Sequence, residues 1–128
     1  MVSKITSQIK VSVHTEYDER NSFPSENRYA FRYNVYIENL GDESVTLLKR
    51  KWTIYDIGFG FTEIEGEGVI GLTPVIEPGE TFKYFSNVIL RSGIGTMYGS
   101  YMLSNRDRNV YIDVEIPKFN LISSIFTN

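Results

Sequence analysis

The chain has 128 residues, 41% of them hydrophobic and 23% charged, with a net charge of -3 and no cysteine. That length suits one compact domain, and the hydrophobic share is too high for a disordered chain. The acidic balance argues against nucleic acid as a partner, and the lack of Cys excludes disulfides, thiol catalysis and Cys-ligated zinc.

The opening run "MVSKITSQIK" has no apolar stretch of signal-peptide type, and no later stretch approaches bilayer-spanning length. A soluble, cytoplasmic protein without membrane insertion is expected. Period-two alternation then dominates the chain, as in strands with one buried face. Ile9, Val11 and Val13 share one face of the first clear strand, with Lys10, Ser12, His14 and Glu16 opposite. A longer polar loop follows over Asp18 to Asn27. Tyr29, Phe31, Tyr33, Val35 and Ile37 form the inward stripe of the next strand. "NLGDES" (Asn39 to Ser44) reads as a tight turn between antiparallel neighbours. "VTLLKRKWTIYD" and "TFKYFSNVIL" read as further strands, each with a bulge or bend. Between them, "EPGE" (Glu77 to Glu80) places Pro and Gly at the centre of a type II turn. "GTMYGSY" reads as a bulged strand that sends Met97 and Tyr101 into the core. After the polar turn Ser104 to Asn109, Val110, Ile112, Val114 and Ile116 face inward. The tail "NLISSIFTN" reads as an edge strand or a short turn.

No segment has helical periodicity of useful length. About seven or eight short strands separated by regular turns predict an all-β fold, an antiparallel sandwich of immunoglobulin or fibronectin type III style. Trp52 belongs between its two sheets.

"GEGVIG" carries Gly66, Gly68 and Gly71 in a G-x-G-x-x-G pattern. In dinucleotide-binding folds that pattern joins a strand to a helix whose free N–H groups meet a pyrophosphate. Here "LTPVIEPGE" follows, and Pro74 and Pro78 exclude a crossover helix. The acidic residue that would hold a ribose is also absent near Arg91. The glycines are expected to serve positive φ, a bulge or a close strand approach.

Several stretches together resemble the ApaG family of small bacterial proteins, with related domains in a eukaryotic F-box protein and a DNA-polymerase-δ-interacting protein. They are Tyr29 to Asn39, Leu48, Trp52, Gly66 to Gly71 with Pro74, Glu77 to Tyr84, Gly95 to Tyr101 and Glu115 to Phe119. The resemblance runs from about Ile5 to Phe119, which implies a single domain with residues 120–128 as a C-terminal extension. It implies a fibronectin type III-like sandwich, an indirect association with cobalt resistance and magnesium efflux, and protein recognition. Two departures stand out. Lys51 occupies the place of a His that usually precedes the Trp, and "DIGFGF" replaces a more polar Asp-Gly turn.

No catalytic set accompanies the single histidine, His14, so no enzymatic activity and no cofactor are expected. One His and no Cys cannot close a transition-metal site within the chain. Glu63, Glu65 and Glu67 alternate and would share one strand face, which could hold Mg²⁺ or Co²⁺ through water, but the ordinary reading is a wet strand face opposite Ile64. The last candidate is the glycine-rich surface. Gly66, Gly68 and Gly71 with Arg91, Gly95 and Thr96 could line a loop that takes a phosphate- or pyrophosphate-like anion. The leading expectation is a non-enzymatic interaction module with a protein partner.

Overall fold

The computed structural model describes residues 1–127, and within them nine strands build two antiparallel sheets. These are β1 (Val2–Thr6), β2 (Ile9–Tyr17), β3 (Tyr29–Asn39), β4 (Val45–Asp56), β5 (Gly60–Glu67), β6 (Val75–Ile76), β7 (Thr81–Leu90), β8 (Ile94–Asn105) and β9 (Val110–Ile122). The first sheet has the order β1-β2-β3-β7. The second runs β5-β4-β8-β9, with the short β6 also on β4. The expected β-sandwich is therefore present, with nine strands rather than seven or eight. The surplus comes from strands without an alternating apolar stripe: β1 is almost wholly exposed, and β6 has two residues. No helix among the described residues is long and apolar enough to cross a membrane.

The inward stripes of β2 and β3 meet Trp52, Met97, Tyr101, Leu103 and Val114 from the second sheet in one core. Trp52 is 2% exposed and packs edge-on against Tyr33, ring centroids 5.3 Å apart, and against Phe119 at 5.9 Å. Such aromatic contacts add to the area that each ring buries.

Asn39 to Ser44 does not join antiparallel neighbours. It carries the chain from β3 in one sheet to β4 in the other. The buried Asn39 side chain fixes this crossing: Nδ2 donates to the carbonyls of Glu43 (2.8 Å) and Ile76 (3.0 Å), and Oδ1 accepts from Gly41 N. Glu77 to Glu80 forms the expected turn, with Glu80 N donating to Glu77 O and Gly79 at φ +83°. β7 pairs with β3 in unbroken register, so of the bulge or bend expected there no bulge is present.

Two register shifts do occur in the second sheet. One lies in β4 between Leu47 and Lys49. The other lies between β8 and β9, where Met97 to Gly99 faces the longer step from Ile116 to Phe119. The extra residue thus sits in β9 around Pro117, which has no N–H to lose, while β8 keeps its alternation. The bulge expected in "GTMYGSY" belongs to its neighbour. Met97 and Tyr101 are nonetheless buried as expected. Val110 keeps the inward register of Ile112 and Val114, opposite the buried Asn105, but stays 44% exposed at the start of β9. Residues 120–122, read from sequence as part of an extension, continue β9, because Leu121 is fully buried; a 3-10 turn, Ser124–Phe126, follows.

Candidate functional site

The two sheets meet differently along their two sides. On one side β1 lies against β9, joined by the Lys4 Nζ–Glu115 Oε2 pair at 2.5 Å and by Glu115 N donating to Thr6 Oγ1. On the other side β5 and β7 are both edge strands, and between them the sandwich opens into a cleft of about 410 Å³. Tyr33, Arg50 and Trp52 line it together with Ile64 and with Ser86 and Val88 of β7. Ile64 faces inward as expected of the residue between the glutamates. It is still 42% exposed, since β7 does not close over it.

The bulge in β4 puts Arg50 there. Before it, Val45 and Leu47 point into the core; after it, Trp52 and Ile54 do. One extra residue changes the inward parity from odd to even, and Arg50 falls on the even frame. A guanidinium turned inward needs acceptors. Its Nη1 donates to the carbonyls of Glu67 and Gly68, both at 3.0 Å. Nε and Nη2 make no hydrogen bond among the described residues.

Beyond Arg50 lies a group of three buried tyrosines. The Tyr84 and Tyr101 hydroxyls are hydrogen-bonded to each other, and Tyr33 sits opposite Ser86 in the register of β3 and β7. Burial pushes the Tyr33 phenol above its ordinary value, with Ser86 and the Arg50 charge offsetting part of the rise. Burial likewise raises Tyr84 and Tyr101, Tyr101 well above the ordinary range, and Arg50 again pulls both down slightly.

Gly66 lies flat on Arg50. A Cβ at this position would come within 2.7 Å of the guanidinium carbon and both terminal nitrogens. Gly68 has φ +59°, and a Cβ there would stand 2.0 Å from the Leu72 carbonyl oxygen. Val69 and Leu72 exchange two backbone hydrogen bonds of 2.9 Å around Ile70 and Gly71, both at positive φ, which makes a type I′ turn. The N–H groups of Gly68, Val69 and Leu72 are donated within the protein, to Leu48 O, Leu72 O and Val69 O. "GEGVIG" is thus a strand end, a close approach and a tight turn.

The other residues singled out from sequence are spread over the second sheet. Glu63, Glu65 and Glu67 share the outer face of β5; Glu65 Oε1 is 3.7 Å from Lys51 Nζ, and Glu67 stands opposite Lys49. Among the described residues no group of three or more acidic or His side chains is placed to hold a metal ion. Thr96 and Glu63 line one broad groove on this outer face, which Arg91 does not join. Gly95 lets β8 approach β4, since a Cβ there would be 2.0 Å from Tyr55 O. Arg91 lies in the β7–β8 turn, which the Asp56 carboxylate holds by accepting from Arg91 N (2.7 Å), Ser92 N (3.1 Å) and Ser92 Oγ (2.5 Å). His14 is exposed, 3.4 Å from Glu16.

Of the sequence-derived set, the structure brings Gly66 and Gly68 against Arg50, which lines the cleft. Arg50, Tyr33 and Ser86 were not anticipated there. Their available signal was the frame shared by Arg50, Trp52 and Ile54.

The family model of the ApaG domain matches residues 19–105. Protein ApaG of Shewanella sediminis is 42% identical over 120 residues, covering 94% of each chain. That of Thiobacillus denitrificans is 44% identical over 114 residues, covering 89% of each. Among solved structures, the crystal structure of the putative ApaA protein from Bordetella pertussis superposes with a TM-score of 0.86 at 36% identity, covering 90% of this chain and 93% of that one.

Proposed function

The chain belongs to the ApaG domain family, and from that premise we propose that it is a non-enzymatic binding module for a protein partner. The observation that supports this reading is the tip of the β4–β5 hairpin. Ile57, Phe59 and Phe61 are 47%, 55% and 67% exposed there, where a hairpin turn would ordinarily carry polar residues. The Tyr55 and Phe61 rings lie 4.7 Å apart, tilted by 40°, and the Arg91 guanidinium lies 5.6 Å from the Phe59 ring centroid. Ile57 N bonds to Ile94 O, and Ile94 pairs with Ile122, which is 44% exposed at the same end of the sandwich. Aromatic side chains beside an arginine are the usual anchors of a protein interface, and a clustered apolar patch of this kind marks such a surface.

The partner surface that fits is apolar, with a carboxylate for Arg91 at its rim. We place the protein in the cytoplasm. The part in cobalt resistance and magnesium efflux that family resemblance suggests is then indirect, exerted through the partner.

The test is capture from native lysate by the wild-type chain and by a Phe59→Ser/Phe61→Ser variant, with His14→Ala as control. A saturable partner held by wild type and control and lost with the double variant supports the reading. Identical capture by all three, or no saturable partner, counts against it.

A further inference from the structure

The cleft between β5 and β7 holds a cation that the fold leaves without a counter-charge, and we propose that it binds a small organic monocarboxylate with an apolar body, its carboxylate paired with Arg50. This is a small-ligand site, separate from the hairpin tip assigned above to a protein partner.

The charge comes first. No carboxylate lies within 4.0 Å of the Arg50 nitrogens among the described residues; the ion pairs of the chain involve Lys4, His14, Lys51 and Arg108. Both carbonyl bonds are taken by Nη1. The Nε–Nη2 edge of the planar fork is left, and that edge accepts a carboxylate through two parallel hydrogen bonds. Gly66 supports the guanidinium face, and the two carbonyls hold its orientation, so the donor pair is set in place before a ligand arrives.

The number of charges selects among anions. Arg50 is the one cationic side chain lining the cleft. The one acidic residue lining it, Asp56, is engaged with the β7–β8 turn. A pyrophosphate or phosphomonoester would bring two or more negative charges against one positive charge, in a site partly shielded from water where each uncompensated charge is costly. A single carboxylate balances it.

The walls select the rest of the molecule. Trp52, Ile64, Val88 and Met97 give an apolar lining, in which Ile64 is 42% exposed. A volume of about 410 Å³ lies near the lower end of the range for small-molecule sites, and suits a ligand of about ten heavy atoms.

Trp52 is the chain's single tryptophan and lines the cleft, so its fluorescence reports occupancy. The probes are phenylacetate, its neutral isostere phenylacetamide, and inorganic pyrophosphate. Phenylacetate should give a saturable change, with the amide at least about tenfold weaker and pyrophosphate without effect. Arg50→Gln should abolish the response. Because Arg50 also holds the glycine turn, a second variant, Val88→Phe, narrows the cleft and leaves Arg50 in place; it should weaken binding by about tenfold or more with melting unchanged. Equal binding of acid and amide, tighter binding of pyrophosphate, or an unaltered response in Val88→Phe would overturn the proposal. So would the lack of any saturable response to phenylacetate, benzoate and hexanoate at about 20 mM, a concentration that detects even weak small-ligand sites.

Discussion

Raising the pH should unfold this protein through the paired tyrosines, and replacing both with phenylalanine should remove that sensitivity. Tyr101 is fully buried and Tyr84 is 8% exposed. Both phenols are held protonated above their ordinary value of 10.0, by burial first of all. The unfolded chain ionises them near that ordinary value. Above it the unfolded state therefore binds fewer protons than the folded one, and stability must fall as pH rises. The contribution is complete below about pH 10 and is lost progressively from there toward the folded-state values. At about pH 11, one unit above the unfolded value, each tyrosine that stays protonated in the fold has cost about 1.4 kcal/mol, so the pair costs about 3 kcal/mol.

The variant series separates this from other alkaline effects. Tyr84→Phe alone leaves the Tyr101 hydroxyl buried without its partner and should cost about 1–3 kcal/mol at neutral pH. The double variant replaces both partners with apolar groups of the same shape and should cost less than the single one. Urea unfolding followed by Trp52 emission at about pH 8.5 and about pH 11 gives the comparison. Wild type should lose about 3 kcal/mol more than the double variant across that interval, because lysines and the remaining tyrosines, Tyr33 included, contribute equally to both. Parallel losses would refute the assignment of the shifted phenols to this pair.

Three further outcomes follow from the second sheet. Gly68→Ala should cost about 3 kcal/mol or more in urea, since it combines positive φ with a Cβ 2.0 Å from Leu72 O; Gly71→Ala, at positive φ but in open space, should cost about 1 kcal/mol. Asp56→Ala removes three hydrogen bonds to the β7–β8 turn and should cost about 1–3 kcal/mol by thermal or urea unfolding, with faster amide exchange at Arg91 and Ser92. Deleting Leu48 removes the extra residue of β4 and leaves Val45, Leu47, Arg50, Trp52 and Ile54 on one face of a regular strand, so the fold should survive by circular dichroism. Losing the carbonyl that accepts from Gly68 N should cost about 1–3 kcal/mol in urea, and loss of folding would refute the bulge assignment.

The stripes of β2 and β3 were legible because each has one buried and one wet face, and alternation records that difference directly. Assignment of strands to sheets was not. The residues from Asn39 to Ser44 suit a hairpin and a crossing between sheets equally well; what decides is the carbonyl of Ile76, a long-range partner for the Asn39 amide. β5 was legible only as an acidic ladder. Every residue of it but Gly66 is exposed, so its place as an edge strand comes from its pairing with β4 and leaves no apolar stripe behind.

The cleft was readable in principle, through a conflict rather than a pattern. Stepping by two from Val45 and Leu47 reaches Lys49 and Lys51. Stepping back by two from Ile54 and Trp52 reaches Arg50. Both frames cannot face one core unless a residue is inserted between them, so the clash itself places a bulge near Leu48 and turns an arginine inward. That arginine is tolerable only with acceptors close by, and Glu67 and Gly68 supply their carbonyls. The same stretch explains the glycines. Gly66 must be small to let the guanidinium lie against it, and Gly68 must turn where its N–H meets the carbonyl of Leu48, the inserted residue itself. The bulge in β4 and the glycine turn after β5 are thus two halves of one device, linked by a backbone hydrogen bond and a half-buried cation. A motif that resembles a phosphate cradle in the one-letter code is here the seat of an arginine.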